Sequence, residues 1–213
     1  SRDGARVVFS GLTTAGYSDL FLLDFATQQL TRLTEDRFLD EDPVFSPDGR
    51  SIVFASDRSR FGPGGARNLV RMDVDTRAMH FLTWGNWRDR SPRYSSDGRI
   101  AFASDRSGSS DLYLIDEKGS GYRLTELTGG AFDPAWLPDG RSIVFAGFQN
   151  SRFRIYRQSV PERGSAIALD AHAAAADPVG TSATAWTWTE LTGEGIRAEA
   201  RPYSTWDKMS IDF

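Results

Sequence analysis

A short phrase returns four times along this chain and fixes the kind of fold it can adopt. Ser46-Pro47-Asp48-Gly49-Arg50 leads into Ser51-Ile52-Val53-Phe54-Ala55-Ser56-Asp57-Arg58. Ser96-Asp97-Gly98-Arg99 leads into Ile100-Ala101-Phe102-Ala103-Ser104-Asp105-Arg106, and Pro138-Asp139-Gly140-Arg141 into Ser142-Ile143-Val144-Phe145-Ala146. Near the start, Asp3-Gly4-Ala5-Arg6 leads into Val7-Val8-Phe9-Ser10. The Asp-Gly pairs stand at 3, 48, 97 and 139, in steps of 45, 49 and 42 residues. A period of that length means a repeat architecture, and a repeat so rich in strands means propeller blades.

Each unit reads as four short strands. In the second unit these are 43–46, 51–56, 69–73 and 79–83. Between the first two, Pro47 presets φ, Asp48 bonds its own backbone and Gly49 takes the positive-φ position of a tight turn. The strand 51–56 is apolar on both faces, as expected for a strand between neighbouring sheets. The third unit reads as 92–95, 99–104, 111–115 and 122–128. The fourth reads as 134–136, 142–146, 153–158 and a weaker 166–169. The first unit offers 6–10, 19–24 and 29–34 and lacks a strand before its Asp-Gly turn; no donor for that strand is visible. The expected fold is all-β: a propeller of four-stranded antiparallel blades, incomplete, with about four blades. Its boundaries are 1–34, 43–83, 91–128 and 133–169. A linker at 170–195 and the start of a following segment at 196–213 complete the division.

The 213 residues, 39% of them hydrophobic, suffice for a sizeable core. A net charge of −4 argues against nucleic-acid binding, which needs a basic stripe. The absence of cysteine excludes disulfides, thiolate zinc sites and a thiol nucleophile. No apolar run is long enough for a membrane helix. The chain opens inside the repeated phrase and is expected to be a piece of something longer. At its other end, Met209, Ile211 and Phe213 alternate with Lys208, Ser210 and Asp212. This reads as a half-buried soluble strand, or as the opening of an outer-membrane barrel strand, which needs about 9–11 such residues.

Catalytic chemistry is not visible. No Gly-x-Ser-x-Gly elbow and no His-Glu-x-x-His occur. The two histidines, His80 in an expected solvent-facing strand and His172 in the linker, do not make a zinc site. No cofactor or metal is expected. The recurrent Asp19, Asp57, Asp105 and Asp111 are expected to tie loops to backbone N–H groups, since a residue used in every blade serves the blade. Departures from the repeat carry more information about function. Residues 60–67 are inserted between strands two and three of the second unit. In a propeller they open on the same face as the blade connection 84–90. This brings Phe61, Trp84 and Trp87 together with Arg60, Arg67, Arg88 and Arg90. Exposed Trp and Arg are enriched at protein–protein hot spots. The same tryptophans equally suit a role capping the core between blades, with solvated arginines. The neighbouring loop 35–42 is acidic.

The order of fixed elements resembles the propeller repeat of the TolB family. An acidic residue precedes a proline at Asp42-Pro43, Asp89 to Pro92 and Asp133-Pro134. The Asp-Gly turn, the apolar strand, Ser-Asp-Arg and a closing Leu-Thr then follow in order. The resemblance covers roughly 1–169. It departs at the 60–67 insertion and at Ala146-Gly147-Phe148, which replaces Ser-Asp-Arg. It implies a non-catalytic scaffold or protein-binding module of the bacterial envelope, periplasmic or outer-membrane-associated, with a protein partner. The tail around Arg201-Pro202-Tyr203 is similar to the junction ahead of an outer-membrane barrel. The alternative the resemblance leaves open is the gating propeller of a prolyl-oligopeptidase-like serine peptidase whose catalytic domain is absent here.

Overall fold

The computed structural model of the chain describes residues 1–116 and 120–160 and the backbone of Thr189–Glu190. These residues form four antiparallel sheets in which neighbours in sequence are neighbours in the sheet. The first holds β1 (Arg6–Leu12), β2 (Ser18–Asp24) and β3 (Gln29–Arg32). The second holds β4 (Asp40–Phe45), β5 (Ser51–Ser56), β6 (Asn68–Asp73) and β7 (Met79–Phe81). The third holds β8 (Asp89–Tyr94), β9 (Ile100–Ser104), β10 (Asp111–Ile115) and β11 (Gly121–Arg123). The fourth holds β12 (Ala131–Trp136), β13 (Ser142–Gln149), β14 (Arg152–Ser159) and β15 (Thr189–Glu190). The inner edges pack in succession, β1 on β4, β4 on β8 and β8 on β12. This is an incomplete propeller.

Three cores separate the four sheets, and alternation along single strands builds them. Ile52 and Phe54 of β5 pack toward Leu20 of the first sheet, whereas Val53 and Ala55 pack toward Ile100 and Phe102 of the third. Ala101 and Ala103 of β9 then face Ile143 and Phe145 of the fourth. Residues 52–54, 100–102 and 143 are almost wholly withdrawn from water. That is why these strands read as continuous apolar runs.

The turn glycines behave as their sequence requires. Gly4, Gly49, Gly98 and Gly140 have φ of 71°, 70°, 89° and 63°. At the second turn the Asp48 carboxylate accepts the Arg50 N–H at 3.0 Å and the Ser46 hydroxyl at 2.6 Å.

Three sequence expectations need correction. The inner strands begin earlier than their prolines: β4 starts at Asp40, β8 at Asp89 and β12 at Ala131. Each proline sits inside a β-bulge that absorbs its missing N–H, and pairing resumes at the next residue. The bulged residues Asp42, Ser91 and Asp133 take φ of 53°, 49° and 49°. The outer strands are shorter than expected, ending at Phe81 and Arg123, because Leu82-Thr83 and Leu124-Thr125 turn inward. The Thr83 and Thr125 hydroxyls there accept the N–H groups of Leu69 and Leu112 at 2.8 Å. The place beside β14 expected for 166–169 is taken by Thr189–Glu190, which lie within the expected linker. Residues 166–169, the rest of 161–188 and the tail 191–213, including its alternating 208–213, lie outside the described residues.

Candidate functional site on the loop face

The 57–67 and 82–89 loops leave the same end of the second sheet, opposite the Asp-Gly turns. The inserted loop is compact. Ser59 and Gly62 are buried, and a short 3₁₀ turn spans Gly62–Gly64. It then runs beside the blade connection: the Arg67 N–H donates to the Trp87 carbonyl and the Asp89 N–H to the Arg67 carbonyl, both at 2.9 Å. The two loops named by the sequence therefore meet.

The seven candidate residues fall into two adjoining groups. In the outer group, the Arg60 guanidinium lies 4.8 Å over the Phe61 ring. Phe61 meets Trp84 edge-on with centroids 5.8 Å apart. Phe81, which sequence reasoning missed, packs on Trp84 at 4.7 Å and is 40% exposed. A signal for Phe81 did exist. It occupies the place of Arg32 and Arg123 in the neighbouring outer strands, each pairing with the equivalent residue of the third strand.

In the inner group the contacts are structural. Trp87 lies against Gly85, where a Cβ would come within 2.1 Å of the ring. The Arg106 guanidinium sits 4.6 Å over the same ring. Arg67 faces Glu41 at 3.3 Å and Asp57 at 3.9 Å. Arg88 donates to the Gly65 carbonyl at 3.0 Å. Arg90 is exposed in β8 and, with Arg88, lines a cleft of about 680 Å³ whose other walls include Asp42, Asp105, Phe132 and Asp133. Among the described residues neither Arg60 nor Arg90 makes an ion pair. The acidic loop 35–42 is largely satisfied from within: Glu35 meets Arg32, Asp36 meets Arg58, and Asp42 accepts the Ser91 N–H.

The recurrent aspartates hold this face in shape. Asp57 accepts the Leu39 N–H at 2.8 Å and Asp105 the Arg88 N–H at 2.7 Å. Asp111 accepts the Leu127 N–H at 3.0 Å, and Asp19 pairs with Arg32. The arginine of each Ser-Asp-Arg turns back onto the first residue of the inner strand: Arg58 meets Asp40 at 2.7 Å and Arg106 meets Asp89 at 2.8 Å. Both carboxylates are fully buried. Burial is the chief influence on Asp40 and pushes its carboxyl above the usual range, against Ser56 and Arg58. His80 is exposed in β7. Among the described residues no cluster of His, Cys, Asp and Glu could hold a metal ion, and no helix is long and apolar enough to cross a membrane.

Bulged inner strands, Asp-Gly turns and Asp–Arg clasps repeated from sheet to sheet define a class, the β-propellers built from TolB-like blades. No family model matches the chain. The Tol-Pal system protein TolB of Francisella tularensis is 32% identical over 155 residues, 71% of this chain and 34% of that protein. The crystal structure of TolB from Acinetobacter baumannii superposes with a TM-score of 0.63 at 26% identity, over 74% of this chain and 39% of that one. The structure of putative TolB from Agrobacterium tumefaciens gives a TM-score of 0.65 at 24% identity, over 78% and 61%. The blades are TolB-like propeller blades, and the chain spans about a third of the length of the curated TolB relative it matches.

Proposed function

We propose that this propeller is a non-catalytic protein-binding module of the bacterial envelope, working in the periplasm, and that a protein partner docks on the loop face. The observation that carries the reading is the partly exposed cluster of Phe61, Phe81 and Trp84 under Arg60, on loops that depart from the repeat. Loops held on a rigid scaffold are where binding concentrates. Trp84 is the anchor of the candidate set. Arg60 and Arg90 supply the unpaired charge, while Arg67, Trp87 and Arg88 shape the surface beneath. The relatives' name supplies a first partner to try, the Pal component of a Tol-Pal system. A link to an outer-membrane barrel rests on the alternation of Met209, Ile211 and Phe213 and on the likeness of the tail around Arg201-Pro202-Tyr203.

The test is a titration of the chain with purified Pal. Trp84→Ala is expected to weaken binding by about thirtyfold, the hot-spot scale of about 2 kcal/mol, with the thermal midpoint little changed. No saturable binding, or binding indifferent to Trp84→Ala, overturns the reading.

A further inference from the structure

Charges on the loop face of the second sheet do not balance. Its acidic side chains are met from within: Asp36 by Arg58, Glu41 and Asp57 by Arg67, and Asp89 by Arg106. Three arginines of this face, Arg37, Arg60 and Arg88, have no carboxylate partner among the described residues, although the whole chain carries a net charge of −4. We propose that the segment docking here is an acidic stretch of the partner polypeptide, which sets a carboxylate on Arg60 and an apolar side chain on Trp84. This rests on the docking reading above and adds the chemistry of what docks.

The aromatic cluster and its arginine together set the sign of the charge. Phe61 and Phe81 stand at 69° and 80° to the Trp84 ring. Aromatic walls at steep angles suit a cation as well as an apolar group. Here the Arg60 guanidinium, 4.8 Å over Phe61, already supplies the cation, so a second positive charge is repelled and a negative one attracted. Arg37 lies over Phe38 in the same way, at 5.7 Å. Arg88 stands at the far end of the inserted loop, where its Nε donates to the Gly65 carbonyl and leaves other N–H groups to spare.

The cleft beside the patch is a poorer seat for a carboxylate. Arg88 and Arg90 line it with three carboxylates, Asp42, Asp105 and Asp133, whereas Arg60 lies outside it. The anion therefore belongs on the rim. Arg60 and Trp84 are joined by two ring contacts in series, of 4.8 and 5.8 Å. At about 3.3 Å per residue, one extended segment reaches both with its acidic and apolar residues about three positions apart. The second sheet has a described sheet packed on each side, so this patch is not laid open by an end of the arc.

The test titrates the 213-residue chain with three end-blocked octapeptides, read by tryptophan fluorescence. One is Gly-Ser-Asp-Ser-Gly-Phe-Ser-Gly, and the others carry Asn or Lys in place of the Asp. The Asp peptide is expected to bind about threefold more tightly than the Asn peptide, the range of an exposed ion pair, and about tenfold more tightly than the Lys peptide. Arg60→Gln should bring the Asp and Asn peptides to nearly equal affinity with the thermal midpoint unchanged, and Arg60→Lys should keep the gap. Salt at about 0.5 M should close it. Trp84→Ala should weaken all three alike. A preference for the Lys peptide, a gap that survives Arg60→Gln, or no saturable binding of any peptide overturns the proposal. Equal affinities that are all lost in Trp84→Ala overturn the acidic chemistry alone and leave the docking reading standing.

Discussion

Asp89 and Arg106 show what a single repeated residue does in this molecule. The carboxylate has no exposed surface, and the guanidinium, one-tenth exposed, covers the rings of Trp87, Phe102 and Tyr113 at 4.6, 5.2 and 4.7 Å. Removing one member strands the other's charge. Asp89→Ala is expected to cost about 3–5 kcal/mol in urea unfolding, and a double replacement by apolar residues of similar size much less. The turn aspartates set the response to acid. The Ser46 hydroxyl and the Arg50 N–H hold Asp48 below the usual carboxylate range, and the Arg141 N–H foremost does the same for Asp139. A depressed folded pKa gives stability that is present above the unfolded value, about pH 4, and is lost as pH falls through the folded value. Asp40 works the other way: its folded pKa is raised by burial, so its contribution is present at low pH and fades as pH rises through that value. Unfolding free energy measured from pH 2 to 6 should therefore fall on acidification less steeply in Asp48→Asn than in the parent chain.

Strands and turns were legible in the sequence to different degrees. The buried strand 51–56 stood out because both of its faces are apolar, and 111–115 because its short apolar run Leu112-Tyr113-Leu114-Ile115 follows a Ser-Asp-Arg phrase. The Asp-Gly turns were legible because they need a residue tolerant of positive φ. Gly98→Val, at φ of 89°, is expected to cost about 1–2 kcal/mol by the same unfolding assay, with sheet content retained in circular dichroism. The inner strands were misjudged because a proline looks like a beginning, and a bulge that hides the missing donor has no signature of its own. Glu190 was missed because the third and fourth strands of its sheet stand thirty residues apart, far beyond the hairpins of the other sheets. The meeting of the 60–67 and 84–90 loops followed from propeller topology, while the split between a rim of aromatics and an inner, committed group depends on side-chain packing that spacing does not encode.

The two ends of the arc present apolar faces that inner sheets keep covered. Val7, Phe9 and Leu30 are 40%, 39% and 58% exposed on the first sheet, and Phe153 and Ile155 are 65% and 55% exposed on the fourth. Patches of this kind promote association. Phe153→Lys should raise the concentration at which light scattering detects assemblies by about tenfold, the scale of burying one aromatic side chain. The alternation of Ile52 and Val53 across two cores has its own thermal meaning. Among the described residues a sheet in the middle of the arc is clamped from both sides and an end sheet from one, so each sheet's hold on its shape depends on its neighbours, as in a one-dimensional chain of coupled units. Heating therefore frays the arc from its two ends inward, and β5 and β9 are the last strands to melt.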